Sequence, residues 1–325
     1  MKKVILFLLT AMLLLVILAG CGSAEDLSKK SNGSANEAKT EQTAEKAAFP
    51  LSVKDGTGEE LTIEKKPERI VSVLPSNTEI AFALGLGQQI VGVSDHDNYP
   101  EEATKKEKIG GLELNVEKIL SLNPDLVLAD QTNDAKALKQ IKEAGIPVLI
   151  VGEATDFEGV YSNIELIGKT TGTQKEADKV IKGMKEKLAS LKEKASAIKE
   201  DKRKDVYIEL SPAPEIYTAG KNTFMDTLLS IIHADNASAN QNGWSKVNEE
   251  AVIAANPDVI ITTYGAYVDD PAAEVSSRDG WEDITAVKKN QIFDINADLT
   301  NRPGPRLVEG VEELGKAVYP DVFAK

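Results

Sequence analysis

Cysteine, histidine and tryptophan are almost missing from this chain of 325 residues, which carries one cysteine, two histidines and two tryptophans. A single thiol excludes an intramolecular disulfide and any cysteine cluster around zinc. Two histidines are too few for a multi-histidine metal site, so no metal centre is expected. Positive charge is scarce too: 38 Lys and Arg face 52 Asp and Glu, a formal net charge of −14. So acidic a surface repels a phosphate backbone, and no nucleic-acid partner is expected. The chain has no P-loop, no Gly-x-Ser-x-Gly elbow and no His-Glu-x-x-His motif. Gly85-Leu86-Gly87 lacks the third glycine of a dinucleotide fingerprint and follows a helical pattern instead of a strand. What remains is an ordinary globular balance, 42% hydrophobic and 28% charged. The length suits roughly two domains at ~150 residues each.

The first segment reads as an export signal. Lys2 and Lys3 precede an apolar run from Val4 to Ala19, broken only by Thr10 and ending in Leu18-Ala19-Gly20-Cys21. The run is shorter than the ~20 residues of a spanning helix and ends in small residues, as a cleaved leader does. Leu18-Ala19-Gly20-Cys21 resembles a bacterial lipobox, which implies a signal peptide over 1–20 and a lipid on Cys21. Residues 21–48 hold only one large apolar side chain, Leu27, and read as a flexible, lipid-anchored tether. The expected location is the outer face of a cell membrane, and so long a tether favours a Gram-positive one.

From Phe49 onward β-branched runs alternate with helical patterns, which predicts parallel-rich sheets covered by helices, an α/β fold. Strands are expected at 69–73, 90–93, 125–129 and 148–151, with helices opening at Glu79 and covering 116–122 and 135–144. Val180, Met184, Leu188, Leu191, Ala195 and Ile198 then recur at spacings of four and three. They predict one helix of about 25 residues, roughly 37 Å long. The chain therefore divides into an N-terminal lobe (49–171), a bridging helix (172–200) and a C-terminal lobe (201–325). In the last part, strands are expected at 206–210, 216–219, 259–263 and 292–295, and helices at 224–232 and 307–318.

The two lobes share a pattern. Glu117 to Leu128 aligns without gaps on Glu250 to Ile261, and each segment carries Asn-Pro-Asp before a strand. Proline stops a short helix there, so the unit is either a common helix–turn–strand device or a mark of two related lobes. Ser76 with Glu79 fits a capping box at a helix start following a strand, the place where ligands sit in such sheets. His96 lies in a polar loop that reaches toward a cleft or simply faces solvent. His233, at the end of an apolar helix, reads as structural. Trp244 and Trp281 each follow a glycine in a polar loop, as a local plug or as a planar surface for a ligand. Asp298, Arg302 and Arg306 surround Pro303-Gly304-Pro305, as ligand contacts or as surface ion pairs.

Taken together, these residues resemble the class III, helix-linked substrate-binding proteins of ABC importers, over essentially all of the chain beyond Glu68. Leu74-Pro75-Ser76-Asn77-Thr78-Glu79, Trp244 six residues before Glu250, and Asp298 followed by Arg302 and Pro305-Arg306 are most similar to the cobalamin-binding branch. The resemblance implies two α/β lobes joined by one rigid helix, with the ligand in the cleft between them. It implies that Ser76, Tyr217, Trp244, Asp298 and Arg302 line or border that cleft, and His96, from its loop, is a further candidate ligand contact. It further implies that Glu117 and Glu250 dock on arginines of a permease dimer, which works with its ATPase subunits. The pattern departs at His96, where the branch can carry a tyrosine, and near Gly111, where it can carry a tryptophan. The function implied is capture of cobalamin by a monomer with no cofactor of its own; a ferric siderophore or haem is the alternative metal chelate. A surface-anchored hydrolase is the rival class, but no nucleophile–base pair is visible to support it.

Overall fold

The computed structural model describes residues 48–324, so the leader, Cys21 and nearly all of the tether lie outside the described residues. A hairpin of β1 (Leu51–Lys54) and β2 (Glu60–Ile63) opens the described chain. The first lobe continues with β3 (Ile70–Ser72), α1 (Pro75–Ala83), β4 (Ile90–Val93), α2 (Glu101–Thr104) and β5 (Glu107–Lys108). It closes with α3 (Val116–Ser121), β6 (Leu126–Asp130), α4 (Ala135–Glu143), β7 (Val148–Val151) and α5 (Phe157–Thr171). Its sheet has the order β5-β4-β3-β6-β7 and every pairing is parallel. β3, β6 and β7 are buried nearly throughout, because helices cover both faces and leave no solvent side for polar residues.

The bridging helix α6 (Gln174–Ala195) follows, 22 residues and roughly 33 Å long. It is shorter than the 172–200 expected. Gly172, at φ 66°, terminates α5 and sets the start, and Ile198 lies beyond the helical end. Ala177, Ile181, Met184, Leu188, Leu191 and Ala195 form its buried stripe. That stripe packs on α5 of the first lobe and on elements of the second, inside one apolar cluster drawn from both lobes. Phe157 and Phe224 meet across the lobes with ring centroids 5.8 Å apart.

The second lobe runs β8 (Asp205–Ser211), β9 (Tyr217–Ala219), α7 (Phe224–Ile231), β10 (Asp235–Asn236) and β11 (Trp244–Lys246). Next come α8 (Glu249–Ala255), β12 (Val259–Thr262), α9 (Pro271–Ser276), α10 (Thr285–Lys288) and β13 (Ile292–Asp294). α11 (Ala297–Asn301), α12 (Leu307–Val318) and α13 (Pro320–Phe323) complete it. Its sheet order is β11-β9-β8-β12-β13, with β10 also on β8 and β9 antiparallel to both neighbours.

The shared sequence pattern occupies equivalent places. β3 lies beside β6 as β8 lies beside β12. Asn123 and Asn256 both take left-handed conformations, φ 45° and 43°, between helix and strand. The following aspartates then hold the start of the neighbouring strand: Asp125 accepts from the amides of Glu68 and Arg69, and Asp258 from that of Asp205.

Ser76 and Glu79 form no capping box: Pro75 takes the first helical position, so the helix starts earlier and Ser76 falls inside it. Helix α5 was not anticipated, although Asp156 caps it through the Gly159 amide and Val160, Tyr161, Ile164 and Ile167 bury one face.

Lys187 of α6 pairs with Glu312 of α12 at 2.8 Å. Hydrogen bonds from Lys187, then from Lys316, hold the Glu312 carboxyl down from 4.5 to about 2. A depressed acid stabilises the fold above its ordinary pKa and loses that contribution as pH falls toward the folded value. Because the pair is partly solvated, Glu312→Gln is expected to cost only ~0.2–1 kcal/mol at neutral pH. The difference from wild type should vanish near pH 2 to 3, as read by urea unfolding across pH. A constant difference at all pH values would assign the effect to packing.

Candidate functional site

An interlobe cavity of about 310 Å³ lies where the first sheet's strands end at their carboxyl edge. Leu74 and Ser76 follow β3, Asp130 ends β6 with Thr132 just beyond it, and Gly152 to Thr155 follow β7. The second lobe adds Asn222, Thr223 and Phe224 at the start of α7, Trp244 on β11, Asn301 at the end of α11 and Pro303 beyond it. Carboxyl-end crevices are the usual ligand position in open parallel sheets, because loops and helix starts converge there.

Trp244 keeps 54% of its surface exposed and Tyr217, on the adjoining strand β9, keeps 41%. Trp281 is fully buried, its indole N–H donating to Glu249 at 3.0 Å, so of the two tryptophans it is the plug. Asn77 and Asn163 also line the cavity, and their amide nitrogens donate to the carbonyls of Ala129 and Gly152, which leaves the amide oxygens as acceptors. These amides were not singled out in the sequence, where nothing local separates them from turn residues.

Beneath Ser76, one turn further along α1, Glu79 is 3% exposed and joins the lobes. It receives Arg306 in a two-pronged pair, Nε to Oε2 at 2.9 Å and Nη2 to Oε1 at 2.6 Å. Arg302 reaches the same carboxylate at 3.0 Å and also donates to the Asn98 side chain at 2.7 Å and the His96 carbonyl at 3.3 Å. Asp298 completes the cluster, 2.9 Å from Arg302 and accepting from Asn98 at 2.8 Å. Burial works against the Arg306 charge, but hydrogen bonds and charge from Glu79 outweigh it and hold its pKa above the ordinary value. Arg302 and Asp298, expected to point at a ligand, are thus occupied by pairing between lobes. On the far side of this bridge a larger groove of about 760 Å³ is lined by Phe82, Tyr99, Lys106 and Arg306. There the Arg306 guanidinium covers Tyr99 at 3.8 Å, and Lys106 donates to the Gly87 carbonyl. The smaller cavity lies at the strand ends and carries the exposed tryptophan, so it is the candidate site.

His96 is exposed and touches the cluster through its carbonyl, while its ring packs against Gly111. It does not line the cavity. His233 takes φ 57° after α7 and its carbonyl accepts from the Tyr319 hydroxyl, a structural role.

Glu117 and Glu250 stand in the first turns of α3 and α8 and are both exposed. Their helices are capped by other residues: Asn115 accepts from the Lys118 amide and Asn248 from the Ala251 amide. Among the described residues neither glutamate forms an ion pair or hydrogen bond, so both are left facing solvent. Each helix leads directly into a central parallel strand and returns along it, which sets its first turn near the strand's carboxyl end.

Two α/β lobes, one bridging helix and a polar interlobe crevice with an exposed indole define a helix-linked solute receptor. The match to known proteins agrees: residues 70–299 fit the model for periplasmic binding proteins, and the chain belongs to that family. It is a substrate-binding protein of the ABC-importer type and not an enzyme. It is 48% identical over 311 residues, 95% of each chain, to an uncharacterized ABC transporter substrate-binding lipoprotein, YvrC, of Bacillus subtilis. It is 31% identical over 259 residues to the vitamin B12-binding protein of Vibrio parahaemolyticus, covering 78% of this chain and 90% of that one. A solved Staphylococcus epidermidis protein, described as a possible iron-binding, periplasmic solute-binding protein, superposes with a TM-score of 0.70 at 35% identity. That superposition covers 78% of this chain and all of the other.

Proposed function

We propose that this receptor captures cobalamin between its lobes and delivers it to a membrane permease dimer driven by ATPase subunits. The observation that carries the reading is an exposed indole, Trp244, beside a cavity walled by Ser76, Thr132 and amide oxygens of Asn77 and Asn163. A corrin is an apolar plane edged by primary amides; Trp244 and Tyr217 would pack on the plane, and the wall would accept from the amides. Ser76, Asp298, Arg302 and His96 border the path of the ligand in this reading. Likeness to the vitamin B12-binding protein supports it. Likeness to a possible iron-binding protein supports a ferric-siderophore reading instead, so the test must include both. We further propose that Cys21 carries the lipid that holds the receptor on the outer membrane face, and that Glu117 and Glu250 dock on the permease.

Full-length protein purified in detergent is expected to retain cobalamin one to one through gel filtration, visible by its spectrum. Trp244→Ala should weaken binding by ~1–3 kcal/mol, the worth of a large packing surface in a pocket. Co-elution of haem or a ferric siderophore with no cobalamin bound would overturn the ligand and leave the receptor class standing.

A further inference from the structure

The charges around the cleft are unevenly placed, and the inference drawn from them rests on the chelate-receptor reading above. Among the described residues lining the cavity there is no Lys, Arg or His, whereas Asp130 and Glu153 are both present. The nearest arginines on the neighbouring bridge are already neutralised, Arg302 and Arg306 facing Glu79 and Asp298 as two cations against two anions. The lining offers the Asn77 and Asn163 amide groups, whose nitrogens are already bonded to carbonyls, and the Ser76, Thr132 and Thr155 hydroxyls, which accept as well as donate. An anionic chelate seated here meets two carboxylates and no cation among the lining residues, and like charges brought together repel more strongly as water is excluded.

We propose that the cleft refuses anionic metal chelates and accepts neutral or cationic ones rich in N–H donors, with Glu79 as the positioning residue that enforces the rule. Glu79 does so by engaging both arginines from the other lobe, Arg306 through a rigid fork and Arg302 through one arm. Remove its charge and Arg306 has no carboxylate among its hydrogen-bond partners, while Arg302 keeps Asp298 as its one anionic partner beside the neutral Asn98 and His96 acceptors. The cluster then carries one net positive charge next to the cavity, enough to receive an anionic group.

The test is a binding panel on the full-length protein in detergent with three probes: cyanocobalamin, the uncharged ferric hydroxamate ferrichrome, and the trianionic ferric catecholate enterobactin. Wild type is expected to bind ferric enterobactin at least about a hundredfold more weakly than the tighter of the other two. Glu79→Gln should narrow that gap by about tenfold or more, and added salt should erase the gain. Glu79→Asp should restore the refusal, which a purely structural loss would not do. If Glu79→Gln does not fold, Asp298→Asn, which releases Arg302 from its more exposed partner, serves the same comparison. Wild-type binding of ferric enterobactin within about tenfold of the best probe would overturn the proposal. A folded Glu79→Gln with unchanged selectivity would overturn the role of Glu79. Binding of ferrichrome alone, with cobalamin and enterobactin both refused, would remove cobalamin as the ligand yet support the charge rule.

Discussion

Reversing both Glu117 and Glu250 to arginine is expected to abolish ligand uptake by cells while leaving the purified receptor folded and able to bind. The two carboxylates are exposed, lack partners among the described residues, and stand in equivalent first turns on the two lobes. Helix capping does not account for them, because Asn115 and Asn248 fill the cap positions, each accepting from a first-turn amide. What remains for the glutamates is a modest favourable dipole field, worth ~0.3–1 kcal/mol. At a desolvated interface the same groups weigh far more, ~2–5 kcal/mol for each broken pair. Loss at both positions thus corresponds to docking weakened by about a thousandfold or more. Each single reversal should impair uptake, and arginine-to-glutamate changes on the permease should restore part of it. Normal transport by the folded double variant would end the docking assignment.

Glu209→Gln is expected to destabilise the second lobe by ~3–5 kcal/mol, the cost of leaving a buried charge without its partner. Glu209, in β8 with no exposed side-chain surface, holds Arg278, whose side chain is 6% exposed, through two bonds of 2.6 and 2.8 Å. Arg278 also grips Glu274 of α9 and covers the Trp281 ring at 4.5 Å. The Tyr264 hydroxyl donates to Glu209 at 2.6 Å, and burial together with this carboxylate pushes its pKa well up, so the phenol stays a donor. One carboxylate therefore ties β8, the loop after β12 and α9 together. Urea unfolding of the variant should show the loss as a lowered midpoint; a change below ~1 kcal/mol would mean that Glu274 suffices for Arg278.

Much of this was legible in the residues themselves. Strands β4 and β7 and helix α12 fall at the expected bounds, because buried parallel strands read as short unbroken apolar runs and amphipathic helices by their period. The bridging helix and the repeated Asn-Pro-Asp turn were visible for the same reason: every determinant lies within a few residues of the next. The scarcity of cysteine, histidine and positive charge removed whole classes of chemistry before any fold was considered. Other roles depended on partners far away in the chain. Glu79 looked like a helix cap until Pro75 displaced the start of α1 and the folded lobes brought Arg302 and Arg306, 223 and 227 residues on, to its carboxylate. Trp244 and Trp281 have matching local sequences, yet one is exposed at the cleft and the other is sealed under α8 by a bond to Glu249. Periodicity and turn chemistry determined the elements because they act over neighbouring residues. Which charges pair, and which aromatic meets solvent, was decided only when the two lobes packed on one helix.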